Sequence, residues 1–388
     1  MENWKIVRLG DVCEIQSGGT PSRSKTEYWK NGTIPWVKIG DFSGKYLNKT
    51  TEHITPKGLE NSSAKLFSKG TILYSIFATL GEATILNIDA TTNQAIAGIK
   101  IKDKSSIDID YLFAYLNSLK EEVNRIGRGV AQNNINLSIL KSFTVPLPPL
   151  ETQKHIAAML DKCTALIAKH KLMLEKYDTL IKSRFIEMFG DEPVENGKWK
   201  VEKLGNLGLC KNGMNFSYED NGFEINCLGV GDFKDNAVIS NCEKLPVISL
   251  NEKPSEEYLL KDNDIVFVRS NGNKELVGRS VLVHPRVLTT FSGFCIRFRL
   301  STDSINHLFL LQFLKMPNTR KNMAGRGANI QNLNQQILSN LDIPVPPIEL
   351  QNDFAAFVQQ IDKSKFAVQK SLEKTEILYK SLMQAYFG

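Results

Sequence analysis

The run Gly127-Arg-Gly-Val-Ala-Gln-Asn-Asn-Ile-Asn136, with Val145-Pro-Leu-Pro-Pro-Leu-Glu-Thr-Gln153 behind it, returns as Gly325-Arg-Gly-Ala-Asn-Ile-Gln-Asn-Leu-Asn334 and Ile343-Pro-Val-Pro-Pro-Ile-Glu-Leu-Gln351. The offset is 198 residues for both segments, and it continues without a gap until Phe189-Gly190 falls on Phe387-Gly388. Leu174-Glu-Lys176 falls on Leu372-Glu-Lys374 in the same register. Chance does not hold one register over so many positions, so the chain is a tandem duplication. The fronts of the copies correspond more loosely. Trp4-Lys5 through Leu9-Gly10 matches Trp199-Lys200 through Leu204-Gly205, and Ile39-Gly-Asp-Phe42 matches Val230-Gly-Asp-Phe233. Even drift would spread differences along the whole unit. Their concentration in the fronts implies that the two fronts do different versions of one job.

The preserved tail reads as a long helix. Pro149 and Pro347 suit a first helical turn, where the amide that proline lacks would go unpaired anyway. Behind them, Ile156, Cys163, His170 and Tyr177 interleave with Met159, Leu166, Met173 and Leu180 at alternating spacings of three and four. In the second copy the rows are Phe354, Ile361, Val368, Thr375, Leu382 and Val358, Lys365, Leu372, Tyr379. Two apolar positions in seven make a coiled-coil seam. One narrow seam on each of two helices predicts that they bury it against each other. At ~1.5 Å per residue, a helix of roughly 37 residues is about 55 Å long. Antiparallel pairing would set the two fronts at opposite ends, related by a pseudo-two-fold axis, as a two-part DNA site requires.

The fronts mix short β-like runs with turn clusters. The runs are Ile34-Pro-Trp-Val-Lys-Ile39, Thr71-Ile-Leu-Tyr-Ser-Ile-Phe77, Ile265-Val-Phe-Val268 and Phe294-Cys-Ile-Arg-Phe298. A helix follows from about Asp108 to Arg125, with Tyr111, Leu112, Tyr115, Leu116 and Leu119 on one face; its counterpart runs from Ser304 to Asn322, interrupted at Pro317. Each front is therefore expected to be a compact α+β domain. The expected division is residues 1–148 and 191–346 as heads, with 149–190 and 347–388 as helices.

Composition bounds the function. The chain has 388 residues, 42% hydrophobic and 23% charged, which suits a globular protein able to bury a core without disulfides or metals. Cys13, Cys163, Cys210, Cys227, Cys242 and Cys295 are scattered without a C-x-x-C pair, so neither a zinc site nor a secreted disulfide framework is expected. No stretch approaches the roughly 20 apolar residues of a membrane helix. Met1-Glu-Asn-Trp-Lys5 lacks the basic and apolar regions of a signal peptide. A cytoplasmic location is expected. The net charge of +6 permits a polyanionic partner without requiring one.

Leu9-Gly-Asp11, Ser17-Gly-Gly-Thr-Pro21, Tyr28-Trp29, Ile34-Pro-Trp-Val37, the loop 127–136 and Pro146-Leu-Pro-Pro-Leu-Glu151, in this order, resemble the specificity (S) subunit of type I restriction–modification systems. The resemblance covers essentially the whole chain. It implies two target recognition domains, each reading one half of a bipartite double-stranded DNA sequence. It also implies that the helices form an antiparallel coiled coil, a ruler across the spacer. Two methyltransferase (M) subunits would dock on them, joined by restriction/translocase (R) subunits. Two departures are mild. Gln132 aligns with Ile330, so the second loop carries its glutamine one place later, at Gln331, and the second seam carries Lys365 and Thr375.

Base edges are read by side-chain donors and acceptors, while lysine, arginine and backbone amides hold phosphates. Candidate DNA-binding residues are therefore polar loop positions beside glycine. In the first head they are Ser17, Gly19, Thr20, Arg23, Lys25, Lys38, Thr79, Gln132, Asn133 and Asn134. In the second they are Lys211, Asn212, Asn215, Arg269, Asn271, Asn273, Lys274, Arg326, Asn329 and Gln331. Arg269-Ser-Asn-Gly-Asn-Lys274 is the densest run. Turn chemistry competes with DNA contact at each asparagine and glycine. Trp29 and Trp36 read as packing residues rather than base stackers.

Catalysis is not expected. The Pro-Pro pairs read as helix entries, not as an Asn/Asp-Pro-Pro-aromatic methyltransferase loop. No G-x-x-x-x-G-K-[ST] phosphate loop occurs, and Gly127-Arg-Gly129 lacks dinucleotide-turn spacing. His53, His155, His170, His284 and His307 lack metal-ligand spacing, so neither metal nor cofactor is expected. Two other readings remain open at this point: a stand-alone DNA enzyme, whose loosely spaced carboxylates escape sequence inspection, and a protein-binding adaptor.

Overall fold

The computed structural model describes residues 4–128, 134–195, 197–217, 220–233, 237–324 and 332–388. It divides into two compact units, one of residues 1–171 with 370–388, the other of residues 172–369. Each unit therefore holds one front, the first half of the long helix that follows it, and the last half of the other long helix.

In the first unit the front builds three small sheets. A five-stranded sheet runs in the order Cys13–Ser17, Ile96–Ile101, Ile72–Ser75, Ala83–Leu86, Tyr46–Leu47. A three-stranded sheet runs Glu52–Ile54, Ile34–Val37, Thr91–Thr92. A two-stranded ribbon pairs Lys5–Arg8 antiparallel with Thr144–Leu147, which ties the start of the front to its end. The second front repeats all three sheets: Gly208–Asn212, Cys295–Leu300, Asp264–Val268, Ser280–Val283, Val238–Ile239; then Val247–Leu250, Phe223–Leu228, Thr289–Phe291; then Lys200–Lys203 with Asp342–Val345. The middle strands are buried on both faces, which is why Ile72–Ser75 and Asp264–Val268 read as continuous apolar runs instead of alternating ones.

The expected head helix is two helices. Ile109–Ser118 is capped by Asp108, whose carboxylate accepts from the amides of Asp110 and Tyr111, and Lys120–Arg128 follows after a break at Leu119. Tyr111, Leu112, Tyr115 and Leu116 are buried, as their spacing required. In the second copy the helices are His307–Leu314 and Pro317–Ala324, divided at the proline.

The long helices are Leu150–Phe189 and Ile348–Phe387, each of 40 residues. Within each unit they run antiparallel. In the first, Ile156 and Leu160 pack with Tyr379, Leu382 and Met383, while Lys171 further along pairs with Glu376. In the second, Asp178 pairs with Lys365, and Phe185 and Phe189 pack on Phe354. The two rows expected for the second helix are those that turn inward. For the first helix only Ile156, Cys163, His170 and Tyr177 do so. The other row is Leu160, Ile167, Leu174 and Ile181, one position later than expected, and Leu166 and Leu180 are each 46% exposed. Every member of the expected row has an apolar neighbour at the next position, so apolarity alone did not choose between them.

One buried side chain in each copy joins helix to head. Gln153 is 0% exposed; its Oε1 accepts from Asp108 N (2.9 Å) and its Nε2 donates to Ser106 O (3.0 Å) and Pro148 O (2.9 Å). Gln351 makes the same three bonds, from Asn306 N (2.8 Å) and to Ser304 O (3.0 Å) and Pro346 O (2.8 Å). Gln351→Leu keeps the volume and strands three backbone groups, one buried and two partly buried. It is expected to cost about 3 kcal/mol, read as a lower denaturation midpoint of its unit. A midpoint equal to that of the unaltered chain would show that the clamp holds nothing.

Candidate nucleic-acid interface

In the first head the candidate loops meet at the strand ends. After Ser17 the chain turns through Gly18 and Gly19, whose amides donate to Ile96 O (3.1 Å) and Thr92 O (2.9 Å). Trp36 Nε1 donates to Gly19 O at 3.1 Å. A Cβ on Gly18 would lie 1.9 Å from Thr92 Oγ1, and one on Gly19 would lie 2.3 Å from Ser63 Oγ. These glycines are thus required by close packing against their own domain, and both polar backbone groups of Gly19 are used there. Asn93 N donates to Val37 O, Ile76 N donates to Ala95 O, and Asn134 bridges to Phe77. Residues 17–20, 37–38, 76–79, 92–95 and Asn134 so form one hydrogen-bonded cluster.

Charge at this cluster is matched internally. The Arg23 guanidinium lies 3.6 Å from the Trp29 ring centroid and pairs with Glu52 at 2.6 Å; Lys38 pairs with the same carboxylate at 2.5 Å. Trp29 and Trp36 meet edge to face at 5.0 Å, and Trp36 is buried, so both are packing residues as expected. Lys25 Nζ donates to Tyr28 Oη at 3.0 Å, and the Thr20 hydroxyl donates to Gln94. Thr79 is exposed at the tip of the turn beside Ala78, which holds a left-handed φ of 62°.

The second head gathers its counterparts by the same bonds. Gly213 N donates to Cys295 O (3.0 Å), Met214 N to Phe291 O (3.0 Å), Ser292 N to Leu228 O (2.9 Å) and Leu333 N to Arg269 O (2.8 Å), while Asn332 bridges to Ser270. The exposed Asn215 packs on Gly293, where a Cβ would come within 2.0 Å of its Oδ1. An open cleft of about 600 Å³ lies here, lined by Phe216, Val247, Ser270, Asn271, Gly272 and Phe294. Arg269 donates to Gly293 O at 3.2 Å. Asn271 and Asn273 cap turns: their Oδ1 atoms accept from Asn273 N (2.8 Å) and Glu275 N (3.0 Å). Lys211 pairs with Glu257 at 2.8 Å over the Tyr258 ring, and Asn212 lies against Gln335. Gln132, Asn133, Arg326, Asn329 and Gln331 lie outside the described residues. So does the side chain of Lys274, whose backbone is in the turn Lys274–Leu276.

The heads differ at one hairpin of these clusters. Residues 76–82 join Ile72–Ser75 to Ala83–Leu86, whereas residues 269–279 join Asp264–Val268 to Ser280–Val283, a loop four residues longer. Sequence reasoning missed the aromatic rings here. Phe77 is 46% and Phe294 63% exposed, and Phe216 also faces solvent. Phe294 was expected to open a strand, but the strand begins at Cys295. For Phe216 and Phe294 the available signal was an aromatic directly after asparagine or glycine in a turn cluster; Phe77, between Ile76 and Ala78, carried none.

Among the described residues no group of three or more His, Cys, Asp or Glu could hold a metal ion. Burial pushes the thiols of Cys13 and Cys227 up to about 12 and that of Cys210 up to about 11, far from thiolate chemistry at neutral pH.

The family model for the type I restriction modification DNA specificity domain matches residues 1–176 and 196–378. The chain belongs to this family. Specificity subunits are the non-catalytic, DNA-recognising members of type I systems. The MjaIX specificity subunit of Methanocaldococcus jannaschii is 24% identical, over 96% of this chain and 89% of that protein. The EcoprrI specificity subunit of Escherichia coli is 30% identical, over 54% of this chain and 55% of its own length. In fold, the chain is similar to the crystal structure of the S subunit from M. genitalium, with a TM-score of 0.60, 15% identity, and 98% of this chain and 95% of that one covered.

The Lys38 ammonium, with Arg23 beside it, holds the Glu52 carboxyl below the usual carboxylate range against the opposing pull of burial. The cluster's contribution to stability is therefore present above the ordinary carboxylate pKa and is lost as pH falls through the lowered one. An NMR titration should find Glu52 low in the unaltered chain and shifted upward in Lys38→Met. An unmoved Glu52 would dissociate the two groups.

Proposed function

We propose that this specificity subunit reads a bipartite target in double-stranded DNA with one half-site per head, and that its long helices dock two M subunits, joined by R subunits. In this reading residues 1–148 and 191–346 are the target recognition domains, and 149–190 and 347–388 are the spacer helices. The carrying observation is the pair of loop clusters. The same backbone bonds gather them in both heads, yet they differ in hairpin length and in most candidate reading side chains, Asn134 and its counterpart Asn332 being alike. A common frame with unlike loops suits two different half-sites.

Within each cluster the roles divide by geometry. Gly19 and Gly293 hold the loops, while Ser17, Thr20, Thr79, Asn134, Asn212, Asn215, Asn271, Asn273 and Arg269 offer donors and acceptors near base edges. Gln132, Asn133, Asn329 and Gln331 belong to the same proposed set on sequence grounds. Arg23, Lys25, Lys38 and Lys211 are the phosphate-facing set, with Lys274 and Arg326 added on sequence grounds, and Glu52 and Glu257 release their cations when DNA arrives. The exposed rings of Phe77 and Phe294 suit thymine methyl groups. A solved chain of the same fold, with a TM-score of 0.60 and 17% identity, comes from work on complex assembly and conformational transition of the type I R-M system, which supports the docking half of the proposal. Phe366, Ile377 and Leu378 stand exposed on the second long helix and suit apolar docking. A DNA target places the chain in the cytoplasm; no helix among the described residues is long and apolar enough to cross a membrane.

Assembled with its M subunits, the chain should direct methylation to one two-part sequence. Equal methylation of unrelated sequences would overturn the reading. Arg269→Ala should relax selectivity at one half-site only, by about 1–3 kcal/mol, in competition binding with half-site variants. Phe366→Asp should weaken co-purification with the M subunit while leaving the circular dichroism of the chain unchanged.

A further inference from the structure

The second unit contains a cavity of about 440 Å³ away from the loop cluster, between the sheet strand Ser280–Val283, the helices His307–Leu314 and Pro317–Ala324, and both long helices. Its lining is cationic. Arg279, Lys315 and Arg320 face it from the head, Lys182 and Lys365 from the long helices, against Asp178 and Asp362. Lys365 is taken by Asp178 at 2.6 Å. Arg320 is spent on the carbonyls of Glu275 (2.7 Å) and Val277 (3.3 Å), so its charge has no carboxylate. Neither Lys315 nor the Arg279 side chain has an ion-pair or hydrogen-bond partner among the described residues. Burial pushes the Lys315 ammonium down to about 8 and the Asp362 carboxyl upward, each toward its neutral form. A second observation is independent of charge. Ser280 is 5% exposed, lines the cavity, and its buried hydroxyl has no hydrogen-bond partner among the described residues.

The first unit shows what a self-sufficient version of this place looks like. There Lys45 pairs with Asp110 (2.8 Å) and Asp161 (2.5 Å), Tyr46 donates to Asp110, and Lys120 pairs with Glu82. The strand registers put Lys45 and Tyr46 in the places of Ala237 and Val238, and Ala83 in that of Ser280. The offset of 198 puts Asp110 in the place of Leu308 and Asn117 in that of Lys315. Three space-filling or charge-matching side chains have thus been replaced by smaller or apolar ones, while cations and a hydroxyl donor have been added. Drift toward a simple packing defect would remove buried cations as the cavity opened; here the balance shifted toward cations, with Lys315 in the place of Asn117.

We propose that this cavity is a binding site for a small phosphate-bearing molecule up to nucleotide size, held by Arg279, Lys315 and the Ser280 hydroxyl. The volume lies within the range of small-ligand pockets, about 300–1,000 Å³. A phosphate supplies the acceptors that the unpaired ammonium, guanidinium and hydroxyl lack. The groups facing Lys315 from every packed element are Arg279, Arg320, Asp178, Lys182, Asp362 and Lys365. Burial brings the Lys315 ammonium down to about 8, so affinity falls as pH rises through that value.

Isothermal titration of the full chain at constant ionic strength tests this, with pyrophosphate, ATP and chloride as separate titrants. Saturable one-to-one binding of a phosphate titrant, absent with chloride, is expected. Tighter binding of ATP than of pyrophosphate assigns the site to nucleotides; equal binding assigns it to the phosphate group alone. Lys315→Asn, which installs the counterpart residue, should weaken binding roughly tenfold, and Ser280→Ala should weaken it less. Absence of saturable heat from the unaltered chain overturns the proposal. So does unchanged affinity in both variants, with circular dichroism confirming their fold.

Discussion

Two buried glutamine amides fix the geometry on which the rest depends. Gln153 and Gln351 each use both polar ends: a bond from one backbone amide is accepted and two backbone carbonyls are satisfied. A buried primary amide tolerates little displacement, because a bond lost there leaves a polar group unpaired in a medium that cannot replace it. The three partners belong to different segments. Asp108 or Asn306 caps the head helix, Ser106 or Ser304 precedes that cap, and Pro148 or Pro346 leads into the long helix. Satisfying one side chain therefore fixes the angle at which a head leaves its helix. Proline at 149 and 347 sharpens the junction by fixing φ where the ladder has no use for the amide.

The clamp acts together with the chain's aromatic ends. Phe387 packs against Tyr111 and Tyr115, while Phe189 packs against Phe309 and Trp199. At the offset of 198, Phe189 corresponds to Phe387 and Tyr111 to Phe309, so the same insertion occurs twice. Each head is therefore held from two directions, by the start of its own long helix and by the end of the other one. This explains why the register is strict from the glycine loop to the final Phe-Gly. The buried residues of the two long helices answer to the clamp, to the seam or to a head core.

The parts of this architecture that are local and periodic were legible in the sequence, and the non-local parts were not. The long helices, the start of the first head helix near Asp108, the break at Pro317 and the packing roles of Trp29 and Trp36 followed from spacing and residue type. The second seam was read correctly and the first was displaced by one row. Leu160, Ile167, Leu174 and Ile181 are the images of Val358, Lys365, Leu372 and Tyr379 under the same offset of 198, so the duplication itself held the correction. Strand order was beyond reach, because two- to six-residue strands paired across the whole front leave no local trace of their partners. The candidate loops were found as loops, yet their internal wiring was not. Lys211 folding onto Glu257, or Arg23 sharing Glu52 with Lys38, depends on carboxylates far away in sequence.

The contrast between rigid register and free loops has a physical origin. Adding four residues at the tip of a surface hairpin costs little, since loop-closure entropy grows only logarithmically with length. The longer turn of residues 269–279 leaves its flanking strands in the same ladder, with Ile265 opposite Leu282 as Ile72 stands opposite Ile85. An insertion within residues 145–190 would instead shift the clamp against its three partners and rotate the seam by roughly 100° per residue. Variation is thus cheap where the heads meet solvent and prohibitive where they meet the helices. A chain built this way can change what each head presents without changing where it presents it, and a recognition subunit whose chemistry lies elsewhere needs that separation.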